Sequence, residues 1–294
     1  MNNKIDVIVT KKKKPKIMPP YNWYELGSIR NVSEEEQIKF CNTSIYQILP
    51  VKYLIKILLN ERLRFNNILK SWEDPYELFF LKQEISIEGK SIASIISQQC
   101  QNLYGQCWSL NRDSDAMWRI YSSDKEGVRI KTSLIKMIQV LNQTRGMRFV
   151  CPYFGKVEYK DKKSVLEWMN QRLQGGYGEL FKSLTDSLFI KRIEFMHENE
   201  IRFIIDNSNT ESTESYDNIY DDHIDLKVDP FNFIDEIALD PRLSEEDFED
   251  RKILLSKIAK SIPIHKSDLY SFSSQNYNIP LTPLQIEIIE HDKQ

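Results

Sequence analysis

Residues 195–206 read F-M-H-E-N-E-I-R-F-I-I-D. The run from Ile201 to Ile205 predicts a core strand, with Glu198 and Glu200 standing two apart at its head. Side chains at i and i+2 of a strand share one face. An extended backbone here projects both carboxylates together, and Arg202 continues their face. Carboxylates held that close repel each other unless a cation lies between them or one binds a proton. Two readings follow. One is a site for chemistry on a polar or cationic group. The other is a surface salt-bridge ladder in which Arg202 and Lys191 pair the glutamates.

Composition narrows the classes around this stretch. The chain has 294 residues, 41% hydrophobic and 11% aromatic, enough for a substantial core. A formal net charge of −3 gives no global reason for nucleic-acid binding. With nine glycines and neither a G-x-x-x-x-G-K-[ST] nor a G-x-G-x-x-G pattern, no phosphate-cradling loop is expected. Gly175, Gly176 and Gly178 read as a loop between helices. Cys41, Cys100, Cys107 and Cys151 are scattered, and with four histidines they predict no metal site. The start M-N-N-K-I-D is not a signal peptide, and no apolar run approaches the ~20 residues of a membrane span. The expectation is a cytoplasmic protein with free thiols and no membrane contact.

Along the chain, residues 1–43 read as a basic and aromatic extension. It holds the run Lys11 to Lys16, which is either a solvated tail or a contact for nucleic acid or membrane, and an irregular aromatic cover around Tyr21, Trp23 and Tyr24. Residues 44–270 read as the main domain, with a mobile acidic insertion over 207–222, and residues 271–294 as a tail. Strands are expected near 44–49, 63–65, 104–110, 127–131, 201–205, 224–228 and 234–239, with a strand pair over 147–159 broken at Pro152. Helices are expected after Pro50, from Asp74-Pro75 toward Ile85, around Met117 to Tyr121, to Leu141, over 163–173 and 179–189, and over 244–261 with a Ser-x-x-Asp cap. This mixture lacks a strict βαβ rhythm. It predicts an α+β fold: a single mixed or antiparallel sheet flanked by helices.

The order of landmarks resembles an uncharacterised bacterial family of unknown function. The landmarks are Ile45-Tyr46, Glu73-Asp74-Pro75-Tyr76-Glu77, Cys107-Trp108-Ser109, Met117-Trp118-x-x-Tyr121, Gly127-Val128, and Lys191 followed by Glu198-x-Glu200-Ile201-Arg202. The resemblance spans roughly Ser44 to Leu269. Two positions depart from the pattern: Glu73 stands for asparagine, and Gln47 for the basic residue that follows the first tyrosine. In layout the family is similar to ADP-ribosyltransferase-like folds. That similarity implies NAD as a substrate, with Glu200 as the ribose-facing carboxylate that stabilises oxocarbenium charge. It implies Glu198 as the residue orienting or deprotonating the acceptor. Ser109 would support the ribose, Tyr46 and Tyr121 would stack on the bases, and Trp118 and Arg202 would complete the binding set. The implied biology is a toxin or anti-phage defence effector acting on a protein or nucleic-acid acceptor, with a partner protein from the same operon.

The bland readings stand beside these. Asp74-Pro75 is also an ordinary helix start, Met117, Trp118 and Tyr121 have core spacing, and His197 reads as a surface histidine. Ser109 lacks the nucleophile-elbow context. Two further functions remain: a non-enzymatic sensor or interaction module using Trp23 and Tyr24, and a metal-dependent nuclease, disfavoured because Arg202 stands where a lysine is needed.

Overall fold

The computed structural model describes residues 23–24, 41–78, 83–141, 151–175, 183–207, 220–277 and 280. The strands are β1 (Trp23–Tyr24), β2 (Ser44–Pro50), β3 (Arg62–Asn67), β4 (Ser86–Ile87), β5 (Lys90–Ser91), β6 (Leu103–Ser109) and β7 (Gly127–Ser133). They continue with β8 (Cys151–Lys156), β9 (Glu158–Lys160), β10 (Ile190–Arg192), β11 (Glu200–Asp206), β12 (His223–Lys227), β13 (Glu236–Leu239) and β14 (Ile264–Lys266). A 10-stranded sheet runs β1-β8-β11-β6-β2-β7-β13-β14, with β3 pairing both β6 and β12. Its interior pairings are antiparallel, and parallel pairing occurs at the two ends, β1 on β8 and β13 on β14. Helices Val51–Asn60, Ala93–Gln101, Asp115–Tyr121, Leu134–Leu141, Lys162–Leu173 and Glu245–Ala259 flank it. This is the α+β architecture expected from the sequence.

β11 lies between β8 and β6 and is buried on both faces. Ile201, Phe203 and Ile205 enter one hydrophobic core with Ile45, Trp108 and Phe154. Ile204 enters a second core with Ile68, Ile96, Val165 and Leu188. Glu200 and Arg202 share the face of Ile204 by the period of 2. They therefore point into the protein, not into solvent. Glu198, Glu200 and Arg202 are 4%, 5% and 0% exposed, which rules out the surface ladder.

The register also aligns a polar row across the sheet. Glu200 faces Ser109, Ser109 faces Tyr46, Tyr46 faces Lys131, and Lys131 faces Glu236. Directly opposed residues of antiparallel strands share a face. Glu200, Ser109 and Tyr46, far apart in sequence, thus lie in one row on the same side of three adjacent strands.

Several expectations are corrected. Glu198 is not in the strand: it ends a 3-10 turn over Ile193–Glu198, and β11 starts at Glu200. Asp74-Pro75 does not open a helix. Residues 75–78 form turns, because Asp74 Oδ1 accepts from the Tyr76 N–H at 3.1 Å and so satisfies the backbone locally. Residues 79–82 lie outside the described residues. β8 runs unbroken through Pro152, whose pairing partner is Ile205. Trp23 and Tyr24 are a short parallel edge strand on Phe154 and Gly155. Lys11 to Lys16 and residues 208–219 of the acidic insertion lie outside the described residues.

One glycine fixes how β6 sits under this face. A Cβ on Gly105 would meet Ile204 Cδ1 at 3.1 Å, Ile68 Cγ1 at 3.2 Å and Trp72 Cζ2 at 3.3 Å. The Trp72 ring is held against Arg202, 4.2 Å from the guanidinium carbon. Gly105→Val should therefore force Trp72 off Arg202 and destabilise the fold by about 1–3 kcal/mol. Urea unfolding followed by tryptophan fluorescence checks this, and an unchanged midpoint contradicts it.

Candidate functional site

The site begins with β10, which pairs in parallel with β9 and sets Lys191 opposite Tyr159. After Arg192 the chain enters the 3-10 turn, which Asn199 closes in the left-handed region at φ 43°. Asparagine tolerates that conformation better than most residues. Segment 109–111 clamps the bend. Ser109 Oγ donates to the Glu198 carbonyl at 2.6 Å, Asn111 Nδ2 to the His197 carbonyl at 3.1 Å, and Asn199 Nδ2 to Asn111 Oδ1 at 2.9 Å. The bend brings the Glu198 side chain back toward that of Glu200.

Both carboxylates converge on one ammonium. Lys191 Nζ donates to Glu198 Oε2 at 2.5 Å and to Glu200 Oε1 at 2.8 Å, and lies 3.5 Å from Glu77 Oε1. Arg202 extends the network: Nε donates to Glu200 Oε2 at 2.6 Å, one terminal nitrogen to the Leu188 carbonyl at 2.6 Å, and the other to Glu77 Oε1. Tyr159 Oη accepts the Glu200 backbone N–H at 2.9 Å. Tyr121, at 41% exposure the solvent-facing member, donates its hydroxyl to Glu198 Oε1 at 3.1 Å.

Three buried carboxylates, on Glu77, Glu198 and Glu200, thus face two cations, Lys191 and Arg202. The surplus negative charge is resolved by where protons sit. Burial opposes ionisation of Glu200, but Arg202 beside it, the hydrogen bond from Glu198 and then Lys191 hold its carboxyl well below the usual carboxylate range. Burial, and then the neighbouring Glu200, push Glu198 up to about 7 against the opposing pull of Lys191. Burial likewise raises the Tyr121 phenol, with Glu198 adding to the effect, and pushes Tyr159 up to about 12. At neutral pH the pair holds one firmly ionised carboxylate and one carboxyl near its midpoint. Environments that drive paired titratable groups apart are the usual way to divide acid-base roles.

The residues expected from the sequence divide into three groups. Glu198, Glu200, Arg202 and Tyr121 meet in one cluster, and Ser109 joins it through the Glu198 backbone. Tyr46 is two strands away, with its ring 5.4 Å from the Arg129 guanidinium carbon. Trp118 is apart from the cluster. It is 0% exposed, and its Nε1 donates to Asp113 Oδ1 at 2.8 Å, so its ring is a core element with no open face for a base. Arg202 is also 0% exposed and fully engaged by protein groups, which suits tuning of Glu200 rather than contact with a ligand. Lys191 was legible as a lysine preceding the glutamates, but its place between them was not. Glu77 was visible as a carboxylate near a turn. Tyr159 carried no sequence signal. Among the described residues, no group of three or more His, Cys, Asp or Glu is arranged to hold a metal ion. None of the described helices is long and apolar enough to cross a membrane.

The split protonation makes a stability prediction. Glu198 has a folded-state value of about 7, above its ordinary 4.5, so its stabilising contribution is complete below about 4.5 and is lost as pH rises through about 7. Glu200 is depressed, so its contribution is present above the ordinary value and lost as pH falls through its folded value. Between pH 5 and pH 8 the wild type should therefore lose on the order of 1–2 kcal/mol that Glu198→Gln retains. Urea unfolding of both proteins at the two pH values checks this, and parallel pH dependences contradict it.

A model of a family described as a protein of unknown function (DUF2971) matches residues 117–203. The matched span opens on Met117-Trp118-x-x-Tyr121 and closes just after Glu198-x-Glu200-Ile201-Arg202, two of the motifs behind the sequence resemblance. Among solved structures, DarT from Thermus sp. 2.9 in complex with NAD+ is 12% identical, covering 79% of this chain and 98% of that chain at a TM-score of 0.33. The DarT complex with ADP-ribosylated ssDNA is 14% identical over 79% and 97% of the two chains, again at 0.33. The carba-NAD+ complex is 13% identical over 79% and 98%, also at 0.33. These scores are too low to establish a shared fold. No curated protein matches the sequence.

Proposed function

We propose that this chain cleaves the nicotinamide–ribose bond of NAD and passes the ADP-ribosyl group to an acceptor, which is a protein, a nucleic acid or water. One observation carries the reading. Glu198 and Glu200 share the Lys191 ammonium, yet one is held ionised and the other near its midpoint.

The reaction needs those two states. As the glycosidic C–N bond breaks, its electron pair leaves with the nicotinamide nitrogen and neutralises the ring. Positive charge develops on the ribose, and an ionised carboxylate held in a low-dielectric site stabilises it. Glu200 takes that role. A lone pair of the acceptor then forms the new bond to the ribose carbon, and the acceptor's proton goes to Glu198. A base with a midpoint near 7 is well matched to that transfer at neutral pH. Ser109 and Asn111 hold the bend that sets the distance between the two carboxyls. Tyr121 is the exposed flank of the cluster, so substrate reaches Glu200 by displacing the Tyr121 hydroxyl from Glu198.

The second reading is a purely structural ion cluster within an interaction module. It is favoured by the low exposure of both glutamates and by Arg202 and Lys191 occupying both oxygens of Glu200. The two readings separate on activity. With labelled NAD, lysate and single-stranded nucleic acid, the wild type should release nicotinamide and transfer label. Glu200→Gln should lose about 10²–10³-fold in rate, and Glu200→Asp should keep the charge but lose part of the rate. A melting measurement on each variant separates lost chemistry from lost fold. No turnover by the well-folded wild type with any acceptor favours the structural reading.

A further inference from the structure

We infer that Lys191 is the positioning residue of the Glu198–Glu200 pair: its single ammonium bonds one oxygen of each carboxyl and fixes their separation. This rests on the reading of that pair as the reacting site, and it assigns a role to a residue that reading leaves without one.

The geometry is specific. Lys191 bonds one oxygen of each glutamate, Glu198 Oε2 at 2.5 Å and Glu200 Oε1 at 2.8 Å. The remaining oxygens are held from opposite sides, Glu198 Oε1 by the Tyr121 hydroxyl and Glu200 Oε2 by Arg202. Lys191 is therefore the shared contact of two carboxyls whose other partners differ. Its own place is fixed from three directions. β10 pairs in parallel with β9, the Phe195 ring centroid lies 4.6 Å from Nζ, and Glu77 Oε1 lies 3.5 Å away.

The asymmetry follows from what each carboxyl meets besides Lys191. Glu200 has the Arg202 guanidinium in contact, whereas Glu198 has a neutral phenol. One shared cation then satisfies Glu200 in its ionised form and leaves Glu198 as the group that binds the surplus proton. The other titratable groups facing the ammonium are Tyr159 on β9, Tyr121 on the Asp115–Tyr121 helix and Cys107 on β6, opposite Arg202. Burial raises all three above their ordinary values, so they stay neutral through the range in which Glu198 titrates. The ammonium is itself held charged. Burial opposes this, but Glu200 and Glu77 outweigh it and raise Lys191 above its ordinary value.

Replacing the lysine changes both stability and proton binding, because a cation in hydrogen-bond contact favours the ionised carboxyl, so the Glu198 midpoint reports whether this ammonium makes that contact. The test reads the protons directly. Carbon-13 NMR of labelled glutamate carboxyls follows the Glu198 midpoint in the full chain, identified by its loss in Glu198→Gln. Lys191→Gln should raise that midpoint by one pH unit or more, and Lys191→Arg should restore it to within about half a unit. An unmoved midpoint in folded Lys191→Gln overturns the proposal. If Lys191→Gln does not fold, nitrogen-15 NMR of the wild-type Lys191 ammonium decides. Charge retained above pH 10.5 supports the assignment, and deprotonation below pH 10 overturns it. The NMR readouts need no turnover. A shifted midpoint without nicotinamide release in the wild type upholds the role of Lys191 and rejects the NAD reading, whereas release with an unmoved midpoint does the reverse.

Discussion

Removing Arg202 and Glu200 from water costs several kcal/mol per ion after relaxation, and the sheet can close over them because their charges and hydrogen bonds are met. The Arg202 guanidinium donates to Glu200, to Glu77 and to the Leu188 carbonyl, while the Trp72 ring covers it. That requirement propagates outward. Glu77 must come from the 75–78 turn, so Asp74 is held in a local turn, with its second oxygen accepting from Arg192 Nε at 3.1 Å. The Trp72 ring lies over the guanidinium carbon at 4.2 Å, and glycine at 105 leaves it that space on β6. Lys191 must reach the remaining oxygen of Glu200, so β10 pairs with β9 beside the head of β11.

The same constraint explains the bend at Asn199. A continuous strand through 198–200 would set both glutamates on one face with only Arg202 for company. Turning the chain at Asn199 lets the Glu198 side chain approach Lys191 from a separate element. The Ser109 and Asn111 bonds to the carbonyls of 198 and 197 hold the turn from the neighbouring strand end. Cluster and bend are thus one unit. The charges need the turn to meet, and the turn is held by side chains that the β11–β6 register brings alongside.

Much of this was legible in the sequence. The β11 run announced a core strand, and the Ser-x-x-Asp cap set the start of the Glu245–Ala259 helix, with Ser244 Oγ accepting the Asp247 N–H at 3.0 Å. The nearness of Glu198 and Glu200 was visible from their spacing, but its cause is the bend at Asn199 and not a shared strand face, since only Glu200 is in the strand. What was not legible depended on contacts far apart in sequence. Glu77 and Arg202 are 125 residues apart, and the pairing of Tyr46 with Ser109 is a matter of register. Periodicity reports which face a residue takes on its own element, not which element packs over that face. Trp118 shows the same limit. Its spacing fitted both a core residue and a stacking platform, and the Asp113 carboxylate that receives its N–H decides for the core.

The charge count in the cluster bears on why such a group is kept at all. Replacing a buried ion network with well-packed hydrophobic residues is often as stable or better, whereas an uncompensated buried charge is costly. Here three carboxylates face two cations, and the surplus carboxyl is Glu198, the one raised by burial and by its neighbour. Glu198 contributes no charge balance that Glu77 and Glu200 do not already give Lys191 and Arg202. Above neutral pH its ionisation works against the fold. Its position is set by three contacts: Ser109 on its backbone carbonyl, Tyr121 on one carboxyl oxygen, and Lys191, shared with Glu200, on the other. Its outer oxygen accepts from Tyr121, a residue 41% exposed, so the Glu198 side of the pair lies nearer the surface than the Arg202 side, where the guanidinium is fully buried.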